Sequence, residues 1–233
     1  MDQYYEESYY RNEKGVAYLD YEAEHANILR NAFRLIRWIE QHANPGTLVE
    51  VGSAMGFFLE AALRSGWNAT GFEISEYASI LAKEKYGLPV RFADILRDEP
   101  GIKPASVDAF VALDTIEHLT DPLRLLEIAH QLLRNGGLLL ISTGNASSWH
   151  ARIAGTRWRL VSPPEHLFGF SKRALVDLLR NSRFSTIKIR YFSKLYSLAF
   201  PAACFSIPLP RRMKKWAIPI NAFDVMHILA RKD

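Results

Sequence analysis

Four short strings in this 233-residue chain gather residues able to do chemistry. The first runs Leu48-Val49-Glu50-Val51-Gly52-Ser53-Ala54-Met55-Gly56-Phe57-Phe58: an apolar run, a turn with two glycines, then an amphipathic stretch. A strand that turns into a helix in this way leaves backbone N–H groups free at a positive helix end, which binds an anionic group. Two common phosphate patterns fail here. A G-x-G-x-x-G fingerprint aligned on Gly52 puts Ala54 and Phe57 at its second and third glycines, and Phe57 is too large for the close helix approach. A P-loop needs Gly-Lys-Ser/Thr, which does not follow. What remains is an acid, Glu50, two residues before Gly52, with amides around Ser53 and Gly56. That set suits a zwitterion, the amides taking a carboxylate and Glu50 an ammonium. Taken alone, a turn of this kind that serves only structure is the rival reading.

The second string, Gly71-Phe72-Glu73-Ile74-Ser75, ends the next apolar run, where a carboxylate can accept from both hydroxyls of a ribose. A helix-capping acid is the alternative. In the third, Phe92-Ala93-Asp94-Ile95-Leu96, Asp94 can accept from an adenine amino group with Ile74 and Ile95 flanking the ring. The fourth, Ala112 through Asp114-Thr115-Ile116-Glu117-His118 to Asp121-Pro122, starts at the tip of a further strand. His118 and His166 are the candidate general bases, since an ordinary imidazole titrates near pH 6.5; His150 and Glu117 come after them. No His/Cys/Asp/Glu cluster has metal-ligand spacing, and adjacency on a helix points Glu117 and His118 apart, so no metal is expected.

The elements that must position these groups alternate. Residues 28–39 carry Ile28, Leu29, Ala32, Leu35, Ile36 and Ile39 at helical spacing, ended by Asn44-Pro45-Gly46. Strands are expected at 47–51, 69–73, 89–92, 107–114 and 138–142, with helices over 57–64, 76–86, from Pro122 to Asn135-Gly136-Gly137, and 171–181. This is the pattern of an α/β doubly wound, mostly parallel sheet. Residues 185–192 and 223–230 read as two last strands with no crossover helix between them, because Pro201, Pro208, Pro210 and Pro219 interrupt, and so as an antiparallel pair at one edge. The layout is one domain over 1–233, with a helical and aromatic cap at 1–46, a long connection at 143–170 and an insertion at 194–222. Connections of such length are usually functional.

With 48% hydrophobic and 23% charged residues the chain is ordinary globular protein, which excludes disordered and collagen-like classes. Its one cysteine, Cys204, forms no internal bridge. The acidic, aromatic start lacks the pattern of a secretory signal, and the longest uncharged stretch, residues 195–210, falls short of the about 20 residues of a spanning helix. A cytoplasmic protein is expected. Residues 178–223 hold nine bases and no acid, against seven acids in residues 1–24. Either an anionic partner or a solvated basic face explains this. In residues 194–216, Leu195, Tyr196 and Phe200 beside Arg211-Arg212 and Lys214-Lys215 read as a contact with a membrane surface or as a substrate lid. Tyr5 and Tyr9 could close over a ligand, and Trp158, with Trp149, could wall an acceptor pocket; core packing is the rival for the tryptophans.

Together the four strings resemble the class I S-adenosylmethionine-dependent methyltransferases. Glu50-Val51-Gly52-Ser53-Ala54-Met55-Gly56 is similar to their first motif, Glu73 to the ribose acid, Ala93-Asp94 to the adenine motif and Asp114 through Leu119 to the fourth. Ala54 departs from the usual middle glycine. Glu117-His118-Leu119 with Asp121-Pro122 resembles the branch that includes the ubiquinone-biosynthesis O-methyltransferases, and residues 158–171 resemble bacterial members linked to glycan or secondary-metabolite modification. The resemblance implies a seven-stranded Rossmann-like sheet with an antiparallel last hairpin and S-adenosylmethionine as cofactor. Glu50, Gly52, Ser53, Gly56, Glu73, Ile74, Asp94, Ile95 and Asp114 would hold it. The acceptor would be a small molecule, a glycan or a lipid-linked compound, methylated on oxygen. An RNA methyltransferase and a non-catalytic S-adenosylmethionine-binding protein are the alternatives, the former disfavoured because Asp114-Thr115-Ile116-Glu117 is not the Asn/Asp-Pro-Pro-aromatic string of amino-methylating enzymes.

Overall fold

Among the described residues nine strands form: β1 (Thr47–Val51), β2 (Asn68–Glu73), β3 (Val90–Phe92), β4 (Val107–Leu113), β5 (Leu133–Gly144), β6 (Phe184–Arg190), β7 (Lys194–Ser197), β8 (Ala217–Ile220) and β9 (Val225–Lys232). Seven of them make one sheet in the order β3-β2-β1-β4-β5-β9-β6. The computed structural model describes residues 7–10, 20–158, 160–161, 165–204, 208–210, 212–213 and 216–233. Pairings from β3 through β5 are parallel, whereas β9 runs antiparallel to both β5 and β6. The expected antiparallel pair at one edge is therefore present.

Eight helices connect the strands among the described residues: α1 (Glu7–Tyr10), α2 (His25–Glu40), α3 (Phe57–Arg64), α4 (Glu76–Glu84), α5 (Pro122–Leu132), α6 (Trp149–Ala154), α7 (Lys172–Asn181) and α8 (Ala199–Cys204). The sheet is buried on both faces, so its strands read as near-continuous apolar runs. Phe110 and Ala112 of β4 pack with Leu125, Leu126 and Leu132 of α5 and Leu175 of α7, while Ala109 and Val111 face α2 and α3. Ile36, Trp38 and Ile39 carry the apolar face of α2 into that second layer. Each such fully buried aliphatic side chain contributes about 1.5–3 kcal/mol.

Local chemistry fixes the helix starts. Asp121 accepts from the Arg124 N–H at 3.0 Å with Pro122 at the first helical position, and Ser75 and Ser171 accept from Ala78 and Ala174. Three expectations are corrected. Helix α5 stops at Leu132 and β5 begins at Leu133, so Asn135-Gly136-Gly137 lies inside an irregular strand start, where the register to β4 shifts. Glycines that can end a helix serve a bulge equally well, and Gly136 takes a φ of 74°. The connection after β5 holds α6 and a short 3₁₀ turn at 155–157. The insertion forms α8 and an antiparallel β7-β8 hairpin, with Pro219 opposite Leu195. Among the described residues, no helix is long and apolar enough to cross a membrane.

Candidate active site

At the carboxyl edge of β1, β2 and β4 the chain encloses a crevice of about 310 Å³, within the size range of small-molecule sites. Its floor is the turn after β1. Gly52 adopts a φ of 70°, and a Cβ there would lie 2.4 Å from Thr115 Oγ1, so only glycine fits. Thr115 is fixed in turn by donating to the carbonyls of Leu113 at 2.9 Å and Val51 at 3.2 Å. Ala54, at the position of the departing middle glycine, also has a positive φ of 47°, and its N–H donates to Glu73 Oε2 at 2.7 Å.

Two buried carboxylates face this turn. Glu50 lies under it with Oε2 lacking a hydrogen-bond partner among the described residues. Burial pushes its carboxyl well above the ordinary range, and the charge of Glu73 adds to the rise. Glu73 accepts from Ala54 and, at 2.8 Å, from the Ser75 N–H. Burial raises its carboxyl too, with those amides opposing. Each of its oxygens keeps a second lone pair for a ligand hydroxyl. Ile74, Asp94 and Ile95 line the same wall, and Asp94 Oδ1 accepts from the Leu96 N–H.

On the far side lies Asp114, in the left-handed region at φ 48°. Its N–H donates to the Ser142 carbonyl, Ser142 Oγ donates to its Oδ1 at 2.7 Å, and Lys194 Nζ lies 2.5 Å from its Oδ2. Asp114 sits deep in the protein mass, yet 43% of its side-chain surface opens onto the crevice. Burial alone would raise its carboxyl, but Lys194 and then Ser142 outweigh it and hold the group below the usual range.

His118 lines the crevice and His166 does not; instead their rings meet edge to face with centroids 4.6 Å apart. His118 Nδ1 donates to the Glu165 carbonyl at 3.0 Å and His166 Nδ1 to that of Leu160 at 2.6 Å. A carbonyl only accepts, so each neutral ring keeps its lone pair on Nε2. Burial, then His166, lowers the His118 pKa. Glu117 is pushed up to about 8 by burial and then by Asp114, and its Oε2 lacks a hydrogen-bond partner among the described residues. Its carbonyl accepts from the N–H groups of Leu167 and Phe168, which ties the loop bearing His166 to this turn. Ligand atoms of Glu117, His118 and His166 consequently lie within 4.8 Å of one another, a set that could hold a metal ion. The expectation that adjacency separates Glu117 from His118 is corrected: they sit on a 3₁₀ turn, and a distant loop supplies the third group.

Trp158 does not line the crevice. It is 5% exposed and its Nε1 donates to Asp224 at 3.0 Å, while Trp149 is 62% exposed outside. Tyr9 lines the crevice with Tyr10 and Tyr21, and Tyr5 lies outside the described residues. Sequence reasoning missed Glu24, Asn31, Tyr21 and His227 altogether, and saw Lys194 and Tyr196 only as parts of a basic or apolar run. Burial, then Lys194, lowers the His227 pKa to about 4, and burial followed by Asp114 raises that of Tyr21 to about 12.

Comparison with known proteins identifies the family and the fold. A family model described as a methyltransferase domain matches residues 19–189. The chain is similar to ubiquinone biosynthesis O-methyltransferases of Histophilus somni (26% identical over 151 residues, 59% of this chain and 63% of that protein) and Pseudomonas paraeruginosa (25% over 145 residues, 59% and 62%). It thus spans less than two thirds of the length of these relatives. In fold it is similar to an S-adenosylmethionine-dependent methyltransferase of Thermotoga maritima, with a TM-score of 0.63 at 21% identity over 96% of this chain and 97% of that one. It is similar likewise to geranyl diphosphate C-methyltransferase of Streptomyces coelicolor, solved with S-adenosylhomocysteine, at 0.59 and 14% over 86% and 80%. The chain belongs to the methyltransferase-domain family, among the class I S-adenosylmethionine-dependent methyltransferases.

Proposed function

We propose that this protein transfers a methyl group from S-adenosylmethionine to an oxygen of a small-molecule acceptor. The observation that carries the donor half is Glu50: a buried carboxylate oxygen with no hydrogen-bond partner among the described residues, beneath a turn whose residues line the same crevice. An isolated buried acid is costly unless it meets a cation, and the donor's ammonium is one. The Gly52 and Ser53 amides donate to the Phe72 carbonyl, Ala54 to Glu73 and Gly56 to the Ser53 carbonyl, so the Met55 amide would take the donor's carboxylate, with Glu73 on the ribose hydroxyls, Asp94 on the adenine edge, and Ile74 and Ile95 on its faces. When bound, S-adenosylmethionine supplies an electrophilic methyl group on a sulfonium.

This chain's own residues align and dry the site, which is most of what an in-line displacement needs. Tyr10 and Tyr21 wall one side and Leu195 and Tyr196 another. Those two hairpin residues facing the crevice support the lid reading of residues 194–216 over a membrane contact. His118 Nε2 would accept the acceptor's proton, and its lowered pKa keeps it neutral at pH 7. The ubiquinone O-methyltransferase relatives support oxygen as the receiving atom.

A second reading of Glu117, His118 and His166 gives them to a divalent cation. It is favoured by a Glu117 oxygen with no hydrogen-bond partner among the described residues and by the two Nδ1–H groups bonded to carbonyls, an arrangement that leaves the Nε2 atoms as the ligating atoms. A cation there would polarise the acceptor oxygen. Calorimetry with S-adenosylmethionine, S-adenosylhomocysteine, NAD and ATP tests the donor half. Micromolar binding of the first two alone is expected, and binding of NAD instead overturns it. Transfer of labelled methyl to catechols before and after EDTA then decides the trio: turnover that survives leaves His118 as base, and loss restored by Mg²⁺ or Zn²⁺ assigns a cation.

A further inference from the structure

The β7-β8 hairpin lies beyond the segment that the family model matches, which ends at residue 189. An edge strand carries backbone groups that need partners, and α2 supplies them from side chains. Asn31 donates to the Leu195 carbonyl at 3.0 Å and accepts from the Leu195 N–H at 2.8 Å. The Glu24 carboxylate accepts from the Ser197 N–H at 3.0 Å, and Arg34 donates to the Ser193 carbonyl. Residues some 160 positions apart are thereby clasped and Lys194 is carried into the crevice against Asp114. Asp114 is itself held in a strained backbone conformation by Ser142, and non-glycine residues keep such strain mainly at functional positions.

Resting on the methyl-to-oxygen reading, we propose that Lys194 is the acceptor-side specificity residue: its ammonium, anchored by Asp114 and flanked by Tyr21 and Tyr196, holds the ionising oxygen of a phenol. Asp114 keeps the ammonium's charge in place at the crevice wall. Tyr21 lines the same crevice and feels the charges of both Asp114 and Lys194. The magnitudes select the acceptor class. A phenol ionises about 3 pK units above neutral pH, and an alcohol that ionises near the 15.7 of water about 9 above it. A hydrogen-bonded ammonium lowers an acidic group by about 1–3 units, which closes much of the first gap and little of the second. In the step, the acceptor O–H bond breaks with its proton passing to His118, the O–CH₃ bond forms, and the S–CH₃ bonding pair stays on sulfur as a thioether.

The test uses 4-nitrocatechol, whose ionised form absorbs visible light, bound to the protein with S-adenosylhomocysteine. In the wild type the bound probe is expected to ionise about one unit lower than in solution, a tenfold effect. Lys194→Met and Lys194→Gln should return it to the solution value, and Lys194→Arg should keep the shift. Equal titration in wild type and Lys194→Met overturns the assignment, as does equal methylation of catechol and methyl glucoside. S-adenosylhomocysteine bound while 4-nitrocatechol is refused overturns the phenol assignment alone; failure of S-adenosylhomocysteine to bind overturns the methyl-transfer reading and this one with it.

Discussion

Replacing Glu50 by glutamine should make the ligand-free protein no less stable while crippling its hold on the donor. The buried Oε2 has no partner among the described residues, and burial with the nearby Glu73 charge disfavours ionisation. Because the folded pKa is raised above the unfolded value near 4.5, the folded state binds more protons between the two. Stability is therefore full below that unfolded value and is lost as pH rises toward the folded one. Glutamine keeps an oxygen for the Leu59 amide and removes the titration. Leaving a buried polar group unsatisfied costs about 1–3 kcal/mol, so relief of about 1 kcal/mol is expected at pH 8. In a chain of this size that raises Tm by about 2–4 °C. Loss of a charge-assisted bond to the donor's ammonium costs about 1.5–3 kcal/mol, or roughly 10- to 150-fold in Kd. Thermal unfolding from pH 5 to 8, with and without S-adenosylhomocysteine, reads both effects. A Glu50→Gln protein that melts lower without ligand, or binds S-adenosylhomocysteine as tightly as wild type, would refute the reasoning.

Three further outcomes are expected. Glu73→Ala should weaken donor binding about 100-fold through two lost hydrogen bonds to a charged group, and should also lower Tm because the Ala54 and Ser75 amides lose their acceptor; calorimetry and melting separate the two, and unchanged affinity refutes the ribose role. The acidic limb of kcat/KM on a catechol should fall below pH 6.5, since burial and then His166 lower the His118 pKa, and His118→Ala should abolish it; a limb above 6.5 contradicts the base assignment. Gly52→Ala puts a Cβ 2.4 Å from Thr115 Oγ1 at a φ of 70°, so a loss of about 1–3 kcal/mol is expected by denaturant unfolding, and a neutral result would mean the turn is looser than described.

That the residues proposed for the donor share one crevice was legible because they are local: Glu50 with Gly52, Glu73 with Ile74 and Asp94 with Ile95 each sit on one strand end, and the sheet edge brings the ends together. The strand and helix alternation, and the caps at Ser75, Asp121 and Ser171, follow from side chains acting within three residues. The opposite wall of the crevice was not legible for the opposite reason. Lys194, Tyr196 and His227 enter the crevice through the hairpin and β9, and no spacing announces a clasp between Asn31 and Leu195. Four prolines in the insertion argued against regular structure there, yet Pro219 is tolerated in β8, a strand with a single partner. Trp158 went the other way, since its indole found a buried carboxylate in Asp224, 66 residues later.

The position of β9 bears on how such a chain comes off the ribosome. It is made after β5 and β6, yet it sits between them and pairs with both. Until residues 225–232 emerge, the nascent sheet presents two raw borders, one on each side of a missing slat. His227 reaches the crevice from that same slat, so the cavity wall stays open at this point until β9 slides home. Polypeptides released before Val225 is made should consequently be sticky.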